Sequence, residues 1–362
     1  MEFRTIQRPD GSFQQSVTAS DVQAIARAAF GRRAVVESTV ELGGGLYNSV
    51  YRIRLRAAAE PVVLRVAPPA ERQFVSEAHL MRNECASVPW LAPIAALMPR
   101  VLAADFTGTV IGRDWMIQSF LPGTPAPQRL SSFPKDTHPL FFRQLGEITA
   151  AVHAVVGPHF GPIAGPGHAR WSEAIMASLR QIADDVEGCR LDAADLRRAA
   201  DVARAGADRL DEVSVAQLLT GDLWTVNTLL APTPVPAICG VLDMDRTWWG
   251  DPEADWTMRM ARAKQDERLA FFEACPAPAD TESARWRRHL YEVRHLGALR
   301  LERHRLGNQA GVERLLGGRR SPPAVRRGPQ QPPAARRGRV PVHGDAGHHP
   351  AGGVAHRRRT GW

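Results

Sequence analysis

The sequence contains very little lysine, and its cysteines follow no recognisable pattern. Only Lys135 and Lys264 occur among 362 residues, so nearly all of the positive charge is carried by arginine. The four cysteines have neither paired nor metal-ligand spacing, which argues against a disulfide scaffold or a zinc module and favours reduced thiols. No apolar run suits a leader peptide or a membrane span, so we expect a cytoplasmic protein without a membrane partner.

The net charge of +8 does not belong to the body of the chain. Ten arginines and one acid, Asp345, lie in residues 318–362, so residues 1–317 have a net charge of −1. A near-neutral body removes the electrostatic case for a nucleic-acid partner. The tail has no hydrophobic period and is rich in arginine, proline and glycine, so we expect it to be disordered. It also resembles a GC-rich gene read in a shifted frame, which resequencing would test.

The central pattern of the chain is a predicted β-hairpin in its second half. Apolar residues on both sides of a short proline-rich segment predict strands at about residues 228–230 and 237–242. The intervening Pro232, Pro234 and Pro236 exclude a helix and favour a short loop.

Polar residues lie where this hairpin begins and ends. The residue that enters the first strand lies beside the residue that leaves the second, so Asn227 and Asp243 are predicted neighbours. Gly221-Asp222 precedes them on a loop that reaches the same end. Two carboxylates and a carboxamide would supply the hard oxygen ligands that Mg²⁺ shares with phosphate. Such residues are also common in turns, so the prediction depends on their spacing.

This arrangement resembles the catalytic and metal-binding loops of the aminoglycoside phosphotransferase family, small-molecule kinases with a protein-kinase-like fold. The residues that carry the resemblance are Asp222, Asn227, Asp243 and the Gly-Asp-Pro-Glu-Ala-Asp segment at 250–255. The resemblance implies that Asp222 is the base or orienting group for the substrate hydroxyl. It also implies that Asn227 and Asp243 hold Mg²⁺ against the nucleotide phosphates.

The resemblance covers about residues 35–305, and its specific motifs lie in residues 218–256. The family usually has histidine directly before the Gly-Asp pair, whereas this chain has Thr220, which can hydrogen-bond nearby backbone but lacks the reach of an imidazole. An aminoglycoside is polycationic, and Glu253 and Asp255 are candidates to line an acidic cleft for it. Acids at such positions can equally form a solvated face.

Two alternating apolar runs near the N-terminus flank a glycine cluster at residues 43–45. They predict a strand–loop–strand hairpin, whose glycines would let backbone N–H groups approach phosphates. A plain glycine turn would give the same pattern. By resemblance, Asn48 and Ser49 would lie at the phosphate-facing part of this loop.

Arg65 is the single cation in the apolar strand predicted at residues 62–66. A buried charge needs a partner, so Arg65 is expected to be paired unless it faces water on an edge strand. The resemblance implies contact with the α- and β-phosphates and an ion pair with a glutamate. The helix predicted at residues 75–91 offers Glu84, the preferred partner, and Glu77 as the alternative.

The resemblance implies an α+β, two-lobed fold with an antiparallel sheet lobe followed by a larger helical lobe. The predicted boundaries are residues 1–121 for the nucleotide lobe, 122–316 for the catalytic and substrate lobe, and 317–362 for the tail. Gln118 and Phe120 would belong to the hinge whose backbone binds adenine.

The expected function is ATP-dependent phosphorylation of a hydroxyl on a small molecule, with Mg²⁺, and with GTP as a possible donor. The expected acceptor is cationic: an aminoglycoside antibiotic or its biosynthetic intermediate, in resistance or in biosynthesis. An amino-sugar or fructosamine-type kinase and a nucleotide-binding pseudoenzyme remain alternatives.

Overall fold

A six-stranded sheet forms the first part of the protein in a computed structural model, which describes residues 1–9, 11–255 and 264–317. Its strands are β1 (Glu2–Arg4), β2 (Val36–Leu42), β3 (Ser49–Leu55), β4 (Val62–Val66), β5 (Val101–Asp105) and β6 (Trp115–Ser119). Their spatial order is β1-β2-β3-β4-β6-β5. All neighbours are antiparallel except β1 and β2, which are parallel.

Helix α1 (Ala19–Phe30) packs its apolar side against this sheet. Val22 and Ile25 of the helix share a core with Tyr51 and Ile53, which alternate along β3. The helical period of about 3.6 and the strand period of 2 place these residues on facing surfaces.

The helix predicted at residues 75–91 is shorter in the structure. A single 3₁₀ turn containing Glu77 precedes α2 (Leu80–Ser87). His79 separates the two with a φ of 68°, a left-handed conformation that interrupts a right-handed helix. Glu77 and Glu84 are therefore both buried but belong to different elements.

The second part of the protein is mainly helical. Its helices are α3 (Ala126–Arg129), α4 (His138–His153), α5 (Trp171–Gly188), α6 (Ala194–Ala205), α7 (Ala207–Leu210), α8 (Gln265–Ala274), α9 (Glu282–Arg305) and α10 (Gln309–Gly317). Residues of α4, α5, α6 and α9 build one large core. A sheet lobe followed by a helical lobe confirms the predicted α+β fold.

The helical lobe also contains short strands, which lie before and within the predicted motif. They are β7 (Thr124–Pro125), β8 (Gly161–Pro162), β9 (Gln217–Leu219), β10 (Thr228–Leu230), β11 (Ile238–Val241) and β12 (Trp248–Gly250). The predicted hairpin is β10–β11, with Thr228 opposite Val241. Because β9 pairs with β12, the chain entering the motif and the chain leaving it run side by side.

Two predicted segments fall wholly or partly outside the described residues. Amphipathic spacing predicts a helix at residues 256–272, and the structure describes this segment only from residue 264, where α8 follows. The predicted tail, 317–362, lies outside except for Gly317, the end of α10. Within the ranges described, no helix combines the length and apolarity needed to cross a bilayer.

Candidate active site

The end of the β10–β11 hairpin brings Asn227 and Asp243 together. Leu242 donates its backbone N–H to the Asn227 carbonyl oxygen at 2.9 Å, directly before Asp243. Asp243 has a left-handed backbone (φ 56°, ψ 53°), which aspartate tolerates better than most residues. Asn227 Nδ2 donates to the Asp222 carbonyl oxygen at 2.9 Å. The three predicted neighbours therefore lie at one end of the hairpin.

Gly221 shapes the loop that carries Asp222. Its φ is 77°, and a Cβ at this position would lie 2.0 Å from the carbonyl oxygen of Arg246. No residue with a side chain fits that approach. The loop before the hairpin is therefore packed tightly against the segment that follows it.

The surroundings of Asp222 raise its pKa above the usual value for an aspartate. Burial raises its pKa to about 7, and the negative charges of Asp243, Glu302 and Asp255 act in the same direction, against the positive charge of Arg246. A carboxylate with a pKa near neutrality can accept a proton efficiently at physiological pH. Such a residue in a cleft is typical of a functional site.

Asp255 supports the start of this loop. It is 2% exposed, and its carboxylate accepts hydrogen bonds from the Thr220 N–H at 2.7 Å and the Thr220 hydroxyl at 2.8 Å. His153 Nε2 lies 2.9 Å from the same carboxylate. Burial opposes ionisation, but His153 and Thr220 hold the pKa of Asp255 below its usual value. The carboxylate is thus engaged by protein groups, although Asp255 also belongs to the lining of the cavity beside Asp222, and the Thr220 hydroxyl bonds this carboxylate.

Glu253 is engaged in a different direction. Its carboxylate accepts hydrogen bonds from Arg288 Nη1 at 2.6 Å and from the Ala279 N–H at 2.7 Å. These contacts turn Glu253 towards α9 and the segment before it, so it is not presented to a substrate as predicted.

Arg65 is the centre of an ion-pair network between the sheet and the hairpin. Its Nη1 lies 2.5 and 2.7 Å from the Glu84 oxygens, and its Nη2 lies 2.6 Å from Asp243 Oδ1. Gln118 Nε2 donates to Glu84 at 3.2 Å. Arg65 therefore pairs with Glu84, the preferred partner, whereas Glu77 pairs with other arginines.

The glycine loop between β2 and β3 is covered by the N-terminal segment. Gln14 Nε2 donates to the carbonyl oxygens of Gly45 and Asn48, at 3.1 and 2.8 Å. Asn48 and Ser49 are both buried, and the Ser49 hydroxyl donates to the Gln15 carbonyl oxygen at 3.1 Å. Asn48 and Ser49 are thus buried next to the N-terminal segment, and their side chains are not presented at a phosphate-facing surface as predicted.

The segment after β6 leads from the sheet lobe into the helical lobe. Phe120 is partly exposed there, directly beyond the strand that contains Gln118. The next strand, β7, pairs with β10, so the connection runs directly to the hairpin. A base-binding role for this connection stays a prediction.

A cavity of about 370 Å³ opens beside Asp222, and we call it the Asp222 cavity. Its lining includes Asp222, Asp245 and Trp248, together with Trp171 of α5 and Glu302 of α9, and it also includes Arg246 and Arg294. Burial, together with the charge of the neighbouring aspartate at the hairpin end, raises the pKa of Asp245 to about 8. Within the described ranges, the side chains of Asp222, Asp245 and Glu302 have no salt-bridge partner.

The hairpin end suits a hard divalent cation. Asn227 and Asp243 supply amide and carboxylate oxygens, and the Asp243 side chain is 43% exposed. No three His, Cys, Asp or Glu residues in the described part of the chain are placed to hold a metal by themselves. A cation here would complete its shell with phosphate or water oxygens, as Mg²⁺ usually does.

Several residues around the site are not among those that the sequence predicted. They include the N-terminal glutamines that cover the glycine loop, and Trp171 and Glu302 in the cavity walls. Helical periodicity identifies α5 and α9 as helices, but it carries no signal for which distant loop their polar residues face.

Comparisons with known proteins show which family and which folds this chain is similar to. A profile described as "Phosphotransferase enzyme family" matches residues 38–274. The aminoglycoside phosphotransferase APH(4)-Ia is similar in structure, with a TM-score of 0.58 and 19% identity over 83% of this chain and 96% of that one. No curated protein sequence matches.

Two further solved structures are similar. The GDP and kanamycin complex of APH(2")-IIIa has a TM-score of 0.55 and 15% identity over 82% of this chain and 96% of that one. A protein described as a fructosamine-3-kinase from Haemophilus somnus 129PT has a TM-score of 0.52 and 17% identity over the same shares. At these identities the likenesses show the two-lobed kinase-like fold.

Proposed function

Since this chain belongs to the phosphotransferase enzyme family and is a small-molecule kinase, we propose that it phosphorylates a hydroxyl of an aminoglycoside or of its biosynthetic intermediate, using ATP. The observation that carries this proposal is the position of Asp222, which lines the Asp222 cavity and accepts a hydrogen bond from Asn227 at the hairpin end. GTP is a second possible donor, supported by the neighbour solved with GDP. Resistance and antibiotic biosynthesis are both compatible with this chemistry in the cytoplasm.

In the proposed reaction, the acceptor hydroxyl oxygen forms a bond to the γ-phosphorus while the bond from that phosphorus to the bridging oxygen breaks. ADP leaves, and the hydroxyl proton passes to the Asp222 carboxylate, which also orients the hydroxyl. Asn227 supports the loop, because its Nδ2 donates to the Asp222 carbonyl oxygen and lies 3.4 Å from Oδ2.

We assign the nucleotide phosphates to the side of the cleft that contains Arg65. Asn227 and Asp243 would hold Mg²⁺, which supplies charge neutralisation to the transferring phosphoryl group. Arg65 would contact the α- and β-phosphates, and Glu84 and Gln118 fix its direction through the hydrogen bonds described above.

The remaining nucleotide contacts are assigned to backbone. N–H groups of the glycine loop would approach the phosphates, and the buried Asn48 and Ser49 would keep that loop in shape. The backbone around Gln118 and Phe120 would bind the base.

We assign the acceptor to the Asp222 cavity. Asp222, Asp245 and Glu302 favour an acceptor with amino groups, and Arg246 and Arg294 in the same lining favour one that also carries hydroxyl or other hydrogen-bond acceptors. The ternary complex of APH(4)-Ia with AMP-PNP and hygromycin B supports an acceptor of this class.

A second candidate function is that of a fructosamine-type kinase, which the structural neighbour of that description favours. Such an acceptor is a smaller amino sugar and would use the same cavity and the same Asp222. A nucleotide-binding pseudoenzyme is the third outcome, and the presence of Asp222, Asn227 and Asp243 opposes it.

The test is to incubate the purified protein with Mg²⁺ and ATP or GTP, with panels of aminoglycosides and fructosamines, and to detect phosphorylated products by mass spectrometry. We expect transfer to an aminated, hydroxylated acceptor. Nucleotide binding without transfer to any acceptor would instead support the pseudoenzyme.

The Glu302→Gln variant tests whether the acceptor binds in the Asp222 cavity. Loss of one charged hydrogen bond should raise the acceptor KM about tenfold and leave the nucleotide KM unchanged. Glu282→Gln is the matched control, because that residue lies on the same helix but is exposed. An unchanged acceptor KM in Glu302→Gln would contradict the assignment.

A further inference from the structure

Arg305, the last residue of α9, reaches from the helical lobe into the sheet lobe. Its guanidinium carbon lies 4.5 Å from the ring centre of Phe13, 5.1 Å from that of Tyr47 and 6.0 Å from that of Phe74. The side chain is only 3% exposed. A buried cation surrounded by three rings is held far more firmly than a surface arginine.

The same arginine pairs with Glu77, which completes what we call the Arg305 cluster: Phe13, Tyr47, Phe74, Glu77 and Arg305. Glu77 binds Tyr47 as well, because the Tyr47 hydroxyl donates to the Glu77 carbonyl oxygen at 3.0 Å. The cluster therefore fixes Tyr47 through both its ring and its hydroxyl.

Tyr47 is part of the glycine loop that connects β2 to β3. Gly44 of this loop has a φ of 99°, and a Cβ there would meet no atom within 4 Å, so no neighbouring group lies against that side of the residue. Tyr47 instead ties the loop to a helix of the other lobe through the Arg305 cluster. The loop is thereby positioned by a residue more than two hundred positions away in the sequence.

The cluster is also joined to the catalytic side. The second carboxylate oxygen of Glu77 accepts a hydrogen bond from Arg246 Nη2 at 2.8 Å. Arg246 packs its carbonyl against Gly221 and acts electrostatically on Asp222. One network of charges, buried except for part of Arg246, therefore spans the distance from the glycine loop to the loop that contains Asp222.

We propose that Arg305 is a positioning residue that holds the glycine loop, through Tyr47, in the place where its backbone meets the nucleotide phosphates. This inference rests on the proposed function, since it assumes that the nucleotide binds under the glycine loop. Arg305 touches no reacting atom, and its effect belongs to nucleotide binding.

The test compares the full-length protein with its Arg305→Met and Arg305→Lys variants. Arg305→Met should raise the nucleotide KM, and the Kd for Mg-ATP measured by calorimetry, about tenfold. It should leave kcat and the acceptor KM within about twofold and speed amide hydrogen exchange in residues 43–48. Arg305→Lys, which keeps the charge for Glu77, should be intermediate. Arg285→Met is the matched control, because Arg285 lies on α9 with an exposed partner, Asp280.

A double-mutant cycle with Tyr47→Ala separates positioning from general stabilisation. If Arg305 acts through Tyr47, the double variant should bind Mg-ATP no more weakly than the worse single variant. Additive losses, or unchanged exchange in residues 43–48 of Arg305→Met, would overturn the proposal.

The same set of variants also tests the proposal if Arg305→Met fails to fold or if the wild-type protein transfers no phosphate. If Arg305→Met does not fold, Tyr47→Ala compared with Tyr47→Phe decides, because the phenylalanine keeps the ring beside Arg305 and should bind Mg-ATP more tightly than the alanine variant. If the wild-type protein transfers no phosphate, the proposed function fails, while the Mg-ATP Kd and the loop exchange still test Arg305. Equal Kd values for the wild-type and Tyr47→Ala proteins would overturn the proposal in either case.

Discussion

The two sides of the cleft differ in whether their charged side chains form salt bridges. On the side of the sheet, Arg65 contacts both Glu84 and Asp243, and its charge is balanced inside the protein. On the side of the helical lobe, Asp222 and Glu302 line a cavity without a salt-bridge partner among the described residues. We call the first, with Arg65, Glu84 and Asp243, the paired side. We call the second, the acids of the Asp222 cavity without a salt bridge among the described residues, the unpaired side, although Arg246 and Arg294 belong to the same lining.

This difference indicates which side is organised before ligands arrive. Removing one partner of a buried ion pair costs about 3–5 kcal/mol, so the network around Arg65 is a stiff support. The unpaired acids have pKa values raised to about 7 at Asp222 and about 8 at Asp245, mainly by burial. Their charge therefore depends on pH and on the molecule in the cavity.

The largest expected effect follows from breaking the paired side at Asp243. Asp243→Ala removes the charged metal ligand and one partner of Arg65, so Mg²⁺-dependent binding of ATP should weaken by roughly 100-fold or more. Calorimetric titrations of ATP with and without Mg²⁺ measure this effect. Glu253→Gln is a control that leaves the cleft intact, and unchanged Mg-ATP affinity in Asp243→Ala would rule out the hairpin end as the metal site.

A smaller effect is expected at Thr220, which holds the start of the Asp222 loop through its hydrogen bonds to Asp255. Thr220→Val removes the hydroxyl donor to Asp255, and an underpaired buried carboxylate costs about 1–3 kcal/mol. The melting temperature and kcat should fall, with the ATP KM nearly unchanged. Thr220→Ser should restore both.

Thr220→His tests the same position by size. Thr220 is fully buried, so the histidine that the family usually has here should be destabilising in this chain unless its surroundings move. A stable and fully active Thr220→His variant, or a silent Thr220→Val variant, would show that the contact with Asp255 does not position the loop.

The smallest expected effect is a shift in the pH dependence of kcat/KM, which depends on the protonation of Asp222. Asp222 acts as a base only when it is deprotonated, so kcat/KM should rise with pH through an inflection near 7. The charge of Arg246 lowers this pKa, and Arg246→Met should therefore move the inflection upwards, by about 0.5–1 unit. A pH–rate series on both proteins measures the shift. An inflection that stays in place, or moves downwards, would contradict the assignment of the base.

The sequence was sufficient to predict the hairpin and the meeting of Asn227 with Asp243, because both depend on local turn geometry and strand alternation. The pairing of Arg65 with Glu84 was also predictable, since a buried cation requires a partner and the family resemblance favoured Glu84 over Glu77. These features belong mostly to the paired side.

The unpaired side could not be predicted in the same way. Its walls come from α5 and α9, and which of their residues face Asp222 depends on helix packing over long separations. Glu253 and Asp255 were predicted for this role because they are close to the motif in the sequence. Short contacts to Arg288 and to Thr220 engage them, and Asp255, but not Glu253, belongs to the cavity lining.

The Asp222→Asn variant tests most directly whether one side of the cleft binds the nucleotide and the other serves transfer to the acceptor. If Asp222 serves only the transfer step, kcat should fall by roughly 100-fold or more. The Kd for Mg-ATP should stay within about twofold of the wild-type value when both are measured on the same preparation. Equal losses of Mg-ATP affinity and of turnover would contradict the account, because Asp222 would then support the nucleotide side instead of the acceptor side.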